Sequence, residues 1–193
     1  MALFPIGANA QVNRNYYGNV DWNFNSPLSN SFTKVASGWG MNFDGGYYVT
    51  PKIGIGLFLS FSTNHKYIGT ETLTFTDGSS LTTNQQRSMF QLPFGAEVRY
   101  NITNTNRFTP YVDLRLGTEY CQLSSYISTF KVYNRNWGFY VSPEIGSTVW
   151  TSSNKTVGLH VALYYSFSTN KGDVLDGNID KLNNIGFRLG ISF

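Results

Sequence analysis

The sequence predicts an all-β protein, an eight-stranded antiparallel up-and-down β-barrel that crosses a membrane. Eight stretches of the 193-residue chain alternate apolar with small or polar residues at a period of two, which puts the two kinds of side chain on opposite faces of a strand. Aromatic residues make up 17% of the chain and charged residues only 13%, too few for an ordinary soluble surface. No run of about 18 uncharged apolar residues exists, so the pattern favours a barrel with an apolar outside over a membrane helix.

The first ten residues, Met1 to Ala10, have the character of the end of a secretory signal peptide. They contain a short apolar run followed by the small-residue pattern Ala8-Asn9-Ala10. Cleavage there would leave residues 11–193 as the barrel domain, beginning at Gln11. The positively charged start of such a peptide is missing, so the alternative of an apolar N-terminus on the mature chain stays open.

The first four strands are predicted at Tyr16 to Asn25, Ser37 to Val49, Ile53 to Ser62 and Gln86 to Asn101. In each of them, every second residue is apolar and is expected to face lipid. These residues are Val20, Trp22 and Phe24 in the first strand; Trp39, Met41, Phe43, Tyr47 and Val49 in the second; Ile53, Ile55, Leu57, Leu59 and Phe61 in the third; and Phe90, Leu92, Phe94, Ala96, Val98 and Tyr100 in the fourth.

The last four strands are predicted at Phe108 to Cys121, Asn136 to Trp150, Thr156 to Phe167 and Ile185 to Phe193. The final strand reads I-G-F-R-L-G-I-S-F and ends on an aromatic residue. The residues expected to face lipid are Val112, Leu114, Leu116 and Tyr120; Phe139, Val141, Ile145 and Val149; Val157, Leu159, Val161, Leu163, Tyr165 and Phe167; and Ile185, Phe187, Leu189, Ile191 and Phe193. Pro93 and Pro143 interrupt the fourth and sixth strands, and each predicts a β-bulge.

The connections alternate in length. Those after the second, fourth and sixth predicted strands are short, whereas those after the first, third, fifth and seventh are longer. Bacterial outer-membrane barrels have short periplasmic turns and longer external loops, so this alternation predicts that both termini are periplasmic. In the longest connection, Thr63 to Gln85, Asp77-Gly78 lies between threonine-rich arms and predicts a hairpin that extends the third and fourth strands.

Several segments resemble a known family. They are Y-Y-V-T-P-K-I-G-I-G-L from Tyr47, R-F-T-P-Y-V-D-L-R-L-G from Arg107, F-Y-V-S-P-E-I-G from Phe139, and the terminal strand. The chain resembles the small outer-membrane barrels of the OmpA/OmpX/OmpW type, and most closely the outer-membrane β-barrel domain abundant in Bacteroidetes. The resemblance implies an integral protein in the outer membrane of a Gram-negative bacterium. It also implies that Leu189, Ile191 and Phe193 form the C-terminal signal read by the insertion machinery, although Arg188 stands where that signal usually has glycine.

The charged residues of the strands fall on the face opposite the apolar one. The parity predicts a lumenal polar network of ten residues: Asp21, Asp44, Glu97, Arg99, Asp113, Arg115, Glu119, Glu144, His160 and Arg188. An eight-stranded barrel is just wide enough for side chains to fill its interior, so we expect a hydrogen-bonded plug. A narrow gated pore or a proton path is the alternative.

No catalytic, cofactor-binding or metal-binding motif is found in the sequence. His160 has Ala162 at the spacing where outer-membrane deacylases carry a serine, and His65 has no orienting acid nearby. The segment from Asp173 to Asp180 lacks the alternating acids of a calcium loop and predicts a solvated turn. We therefore expect no enzymatic activity and no cofactor.

The remaining expectations concern partners. The net charge of +3 is too small and too dispersed for a nucleic-acid interface. Seven cations are predicted on or near the external side, where they could contact lipid or lipopolysaccharide phosphates: Lys34, Lys66, Arg87, Lys131, Arg135, Lys171 and Lys181. We expect a structural or interaction role, with two alternatives: an accessory subunit of a larger outer-membrane secretion, assembly or transport complex, and a narrow pore or small-ligand barrel of the OmpW kind.

Overall fold

The computed structural model describes residues 15–28, 32–74, 78, 80–103, 105, 107–127, 130–152, 154–174 and 177–193. The strands in these residues are β1 (Tyr16–Pro27), β2 (Gly40–Tyr48), β3 (Ile53–Thr74), β4 (Ser80–Asn101), β5 (Phe108–Ile127), β6 (Phe130–Trp150), β7 (Gly158–Ser168), β8 (Gly172–Val174), β9 (Gly177–Ile179) and β10 (Leu182–Ser192). Strands β1 to β7 and β10 pair into one closed ring in the order β1-β10-β7-β6-β5-β4-β3-β2. Every pair in the ring is antiparallel, which confirms the predicted eight-stranded barrel.

Alternation of side chains across each strand separates an apolar outer face from a polar interior. On β7, Leu159, Val161 and Leu163 are 42 to 59% exposed, whereas His160 between them is fully buried. On β4, the outward residues from Tyr100 to Phe90 carry no charge. Ten residues of strand extend about 33 Å, or about 25 Å along the barrel axis at a tilt of about 40°, which matches the apolar band of a transmembrane barrel.

Two hairpins project well beyond this band at one end of the barrel, which we call the long-hairpin end. The β3–β4 hairpin stays paired out to Thr74 and Ser80, and the β5–β6 hairpin to Ile127 and Phe130. The predicted extension of the third and fourth strands is confirmed, although Asp77 lies outside the described residues. The extension of β5 and β6 was not predicted, because both faces of these segments leave the apolar band and the lipid-facing signal disappears. The opposite end, where the three short connections and the Phe193 terminus lie, is the short-turn end.

The prolines do not mark bulges, contrary to the prediction. The register between β4 and β5 runs unbroken through Pro93, and the register between β5 and β6 runs unbroken through Pro143. On their other sides, both ladders resume in the same register after the proline. Beside Pro143, the Ser142 hydroxyl donates to the Tyr165 carbonyl at 2.8 Å. A side-chain hydroxyl thus supplies a hydrogen bond where the proline has no N–H, and no extra residue is inserted.

The connection between β7 and β10 is also different from the prediction of a solvated turn. It folds into the β8–β9 hairpin, in which Val174 and Ile179 are 2% and 4% exposed. No helix in the described residues is long and apolar enough to cross a membrane.

Candidate functional site

The candidate site is the interior of the barrel, where side chains from all eight ring strands meet. The structure places the ten predicted lumenal residues there, each at most 7% exposed: Asp21, Asp44, Glu97, Arg99, Asp113, Arg115, Glu119, Glu144, His160 and Arg188. They reach it because every one occupies the inward register of its strand. All but Glu119 take part in one connected network of ion pairs and hydrogen bonds.

Asp44 is at the centre of the network and joins two arginines. Its Oδ1 lies 3.0 Å from an Nη of Arg115, and its Oδ2 lies 2.9 Å from an Nη of Arg99. Arg115 Nε lies 3.2 Å from Glu97 Oε2 and 3.5 Å from Asp113 Oδ2. Arg99 also pairs with Asp113 at 3.4 Å. Each buried cation therefore faces several carboxylates, an arrangement that compensates the loss of hydration.

Glu144 connects this centre to the other side of the barrel. Its Oε2 forms an ion pair with Arg188, and its Oε1 lies 3.4 Å from Arg115. The Tyr111 hydroxyl donates to the same Oε1 at 2.7 Å. Glu144 thus holds groups from β5 and β10 together across β6 and β7.

His160 forms a short hydrogen-bonded chain with three of these residues. Its Nδ1 lies 2.6 Å from Asp21 Oδ1, its Nε2 lies 2.5 Å from the Tyr111 hydroxyl, and Tyr111 contacts Glu144. The chain therefore links β1, β5, β6 and β7 through buried polar side chains that are partners of one another.

Each buried arginine also lies against aromatic rings. The Arg99 guanidinium carbon lies 4.3 Å from the ring centre of Tyr17 and 4.1 Å from that of Tyr111. Arg188 lies 4.2 Å from the Tyr164 ring, and Arg115 lies 5.3 Å from the Phe58 ring. These cation–π contacts were not predicted. The available signal was the presence of aromatic residues at inward positions of the strands, such as Phe58 and Tyr164.

Two glycines make room for the ring of Tyr17. A β-carbon at Gly54 would lie 2.8 Å from Tyr17 Cε1, and one at Gly56 would lie 2.6 Å from the Tyr17 hydroxyl. Tyr17 can therefore lie flat across the inner wall below Arg99. The two glycines serve the packing of this side chain.

Arg87 corrects one prediction. It was predicted among the cations that could contact lipid or lipopolysaccharide phosphates, but it is 4% exposed and points inward, with Nε 3.3 Å from Gln85 Oε1 and its guanidinium 5.3 Å from the Phe32 ring centre. The reason is that β4 starts at Ser80 and keeps its alternation, so residue 87 has the same parity as Glu97 and Arg99. The interior accordingly holds at least four arginines.

Glu119 lies apart from the network. Its carboxylate oxygens have no hydrogen-bond partner among the described side chains, and its backbone carbonyl accepts from the Asn170 amide at 3.1 Å. Arg115, which precedes Glu119 on the same face of β5, pairs with Asp113 and forms no ion pair with Glu119. Arg115 therefore pairs with Asp113 and not with Glu119, although all three residues face inward on β5.

A cluster of buried apolar side chains, which we call the apolar cap, lies inside the barrel towards the long-hairpin end. It joins residues of the β1–β2 connection, the ring and the β8–β9 hairpin, all at most 4% exposed: Phe32, Met89, Cys121, Leu123, Val174, Ile179 and Leu182. The cap was not predicted, since its residues come from five separate segments that only the folded chain brings together. Among the described residues, the cavity between the cap and the ionic network measures about 10 Å³, which is room for one water molecule.

The described interior offers little for cofactor chemistry. No group of three or more His, Cys, Asp or Glu side chains within the described residues could hold a metal ion. The architecture is a closed antiparallel barrel with an uncharged outer band, and it defines a class of protein: integral membrane barrels with a filled interior.

The chain belongs to the outer membrane protein beta-barrel domain family, whose match covers residues 1–193. The solved structures that share its fold include the following two. One is Neisserial surface protein A, with 12% identity, a TM-score of 0.60, and coverage of 93% of this chain and 96% of that chain. The other is OprG from Pseudomonas aeruginosa, with 13% identity, a TM-score of 0.50, and coverage of 92% and 93%. Comparison with curated proteins finds no significant match. The protein is an outer-membrane barrel.

Proposed function

We propose that the protein is a non-conducting, non-catalytic barrel that anchors the two long hairpins at the cell surface for a structural or interaction role. The observation that carries this proposal is the filled interior. Ion pairs occupy the half near the short turns, the apolar cap occupies the other end, and the cavity between them has room for one water molecule.

Solute efflux tests the closed interior. Proteoliposomes loaded with a small sugar and containing the wild-type protein should retain it as well as protein-free liposomes do. A double variant in the cap, Phe32→Ala with Leu123→Ala, removes two fully buried side chains from one end only. Because the ionic network remains, we expect this variant to retain the sugar too. Rapid efflux through the wild-type protein would instead favour the narrow-pore function.

The proposal includes an orientation with both termini in the periplasm and the long hairpins outside. It is supported by the lengths of the connections, since external loops of outer-membrane barrels are the long ones. Thr72→Cys on the β3–β4 hairpin should react with a membrane-impermeant maleimide on intact cells. Thr50→Cys in a short turn should react only after the outer membrane is permeabilised. The native Cys121 is 1% exposed and serves as an internal negative control. The reverse labelling pattern would contradict the orientation.

The absence of enzymatic activity is likewise proposed. His160 is fully buried and bonded to Asp21 and Tyr111, which leaves no space for a substrate beside it. His65 is exposed on the outward face of β3. A lipid deacylation assay with His160→Gln as the matched variant tests this proposal, and loss of a measurable wild-type activity in that variant would overturn it.

The proposed partners are outer-membrane lipids, lipopolysaccharide and the insertion machinery. The terminal signal Leu189, Ile191 and Phe193 faces outward, with the three side chains 42 to 54% exposed. Phe193 also exchanges two backbone hydrogen bonds with Gly18, at 2.9 and 3.0 Å, next to the closure of the ring. The exposed side chains are available to an insertion partner while the backbone is engaged. No nucleic-acid partner is proposed.

A further inference from the structure

The outward face of the β5–β6 hairpin carries a column of alternating cationic and aromatic side chains beyond the apolar band. On β6 this column consists of Lys131, Tyr133 and Arg135. Their partners on β5 in the register are Tyr126, Ser124 and Gln122. We call this set the β6 column.

Contacts within the column hold both cations in place. Lys131 Nζ lies 5.3 Å from the ring centre of Tyr126 and 5.7 Å from that of Tyr133. The Arg135 guanidinium carbon lies 4.8 Å from the Tyr133 ring centre, and its Nε donates to Gln122 Oε1 at 3.3 Å. Arg135 makes no hydrogen bond through its Nη groups to the described residues, so these planar donors can serve an anion. Side chains that are already ordered lose less entropy when a ligand binds.

The column begins at the edge of the apolar band. Trp137, which is 61% exposed, packs against Tyr120 and Phe94 with ring-centre distances of 5.2 and 6.2 Å. Such aromatic clusters mark the membrane interface. Arg135 lies two residues further along β6 and Lys131 six residues further, about 7 and 20 Å of extended strand. Arg135 is therefore at the depth of headgroup phosphates and Lys131 is beyond it.

Two cations at different depths distinguish anionic lipids by the depths at which their phosphates lie. They are four residues apart, or about 13 Å along the strand. A phospholipid with a single phosphate reaches Arg135 alone, whereas a glycolipid with phosphates on its sugars offers negative charge at both depths. No carboxylate lies on this face among the described residues of β5 and β6, and the exposed acids Glu71, Asp173 and Asp180 belong to β3, to β8 and to the link between β9 and β10. The charge of the face is therefore uniformly positive.

We propose that the β6 column is a binding site for one phosphorylated glycolipid of the outer leaflet, with Arg135 holding the phosphate nearest the membrane and Lys131 a phosphate further out. This assignment rests on the proposed orientation, which places the long hairpins on the outer side. Such a site places a bound lipopolysaccharide-type molecule on the outward face of the β5–β6 hairpin.

The test measures binding of a fluorescent bis-phosphorylated diglucosamine lipid to the purified, refolded protein in detergent, by fluorescence polarisation. The variant is Lys131→Gln with Arg135→Gln. The matched control is Lys171→Gln with Lys181→Gln, which removes two exposed cations from the connection between β7 and β10. We expect the β6 variant to bind at least about tenfold more weakly and the control to bind like the wild type, because the first loses two charge-assisted contacts.

Further arms identify the ligand. The dephosphorylated lipid should bind as weakly as the β6 variant, and millimolar inorganic phosphate should not displace the labelled lipid. Equal losses in both double variants would overturn the proposal in favour of diffuse electrostatics, and so would undiminished binding of the dephosphorylated lipid. Displacement by free phosphate would show a simple anion site and would also overturn it. Detergent binding does not depend on orientation, so a failure of the proposed orientation shows separately in the maleimide labelling of cells. Heat-modifiable gel mobility confirms that each variant is folded.

Discussion

Charged side chains in the interior depend on partners from other strands. Asp44 illustrates this, since its two carboxylate oxygens engage Arg99 and Arg115 from β4 and β5 while it is itself on β2. Removing one member of such a set leaves its partners charged, desolvated and unpaired. Deleting a buried partner therefore destabilises more than the pair itself stabilises.

Arg115→Leu is the most direct residue-scale change. It removes one of the two cations that Asp44, Glu97 and Asp113 share and leaves them Arg99 alone, so we expect the free energy of unfolding to fall by about 3 to 5 kcal/mol. Urea unfolding of the barrel in lipid vesicles, followed by tryptophan fluorescence, measures it. The control is Arg107→Leu, an exposed arginine at the short-turn end, which should change stability by less than about 0.5 kcal/mol. Equal effects of the two substitutions would mean that the interior charges are hydrated and independent.

Tyr111→Phe tests the hydrogen-bonded chain of His160. The substitution removes the hydroxyl that contacts both His160 and Glu144 while keeping the ring beside Arg99. We expect a loss of about 1 to 3 kcal/mol, because two buried polar groups lose a partner. Tyr47→Phe, at an exposed tyrosine on the outer face, is the control and should be nearly neutral. A neutral Tyr111→Phe would refute the buried chain.

At the scale of elements, the strand pattern determined most of the ring in advance. Alternation predicted which residues face inward, including all ten lumenal residues, because lipid outside and a polar interior impose opposite demands on neighbouring residues. Beyond the apolar band those opposite demands are absent, and there the prediction failed. The extension of β5 to Ile127 and of β6 to Phe130 was missed, and so was the burial of Arg87. The prolines misled for a different reason, since the hydroxyl of Ser142 compensates for Pro143 and no local sequence rule signals it. The cap depends on contacts between distant segments.

The lipid-facing strand surface is tested at Leu163 in the middle of β7. Leu163 is 59% exposed and pairs with Phe187 and Ile145. Leu163→Arg should destabilise the barrel in bilayers by about 2 to 4 kcal/mol if it lies near the midplane. The control Val157→Arg, at the end of the strand near the short turns, should cost about 0 to 1 kcal/mol, as expected near an interface. Similar costs at both positions would contradict the assigned depth of β7.

The terminal element is tested by separating insertion from stability. Deletion of Phe193 would also remove its backbone hydrogen bonds with Gly18, so Phe193→Ser is the better change. We expect less protein in the outer membrane of cells and normal refolding in detergent. The control Phe187→Ser, on the same outward face of β10, should impair refolding as well, because Phe187 stacks on Phe24 with ring centres 5.0 Å apart. If Phe193→Ser lowered the amount in the outer membrane and the refolding in detergent equally, the role of Phe193 would be packing alone.

At the scale of the whole molecule, the barrel is closed at two levels by different chemistry. The ionic network fills the half near the short turns, and the apolar cap covers the end below the long hairpins. We propose that either layer alone obstructs the axis, so the membrane barrier should survive damage to one of them. The surfaces left for function are then the hairpins and the outer wall, where the β6 column lies.

The central claim, that the interior is a plug, is tested most directly by single-molecule conductance in planar lipid bilayers. The wild-type protein should show no steady current in molar salt, since ion pairs and the apolar cap occupy the interior and the cavity between them has room for about one water molecule. Current that appears only when Arg115→Leu is combined with the cap variant Phe32→Ala and Leu123→Ala would fit two closed layers. A steady, reproducible conductance of the wild-type barrel would contradict the plug and establish a pore.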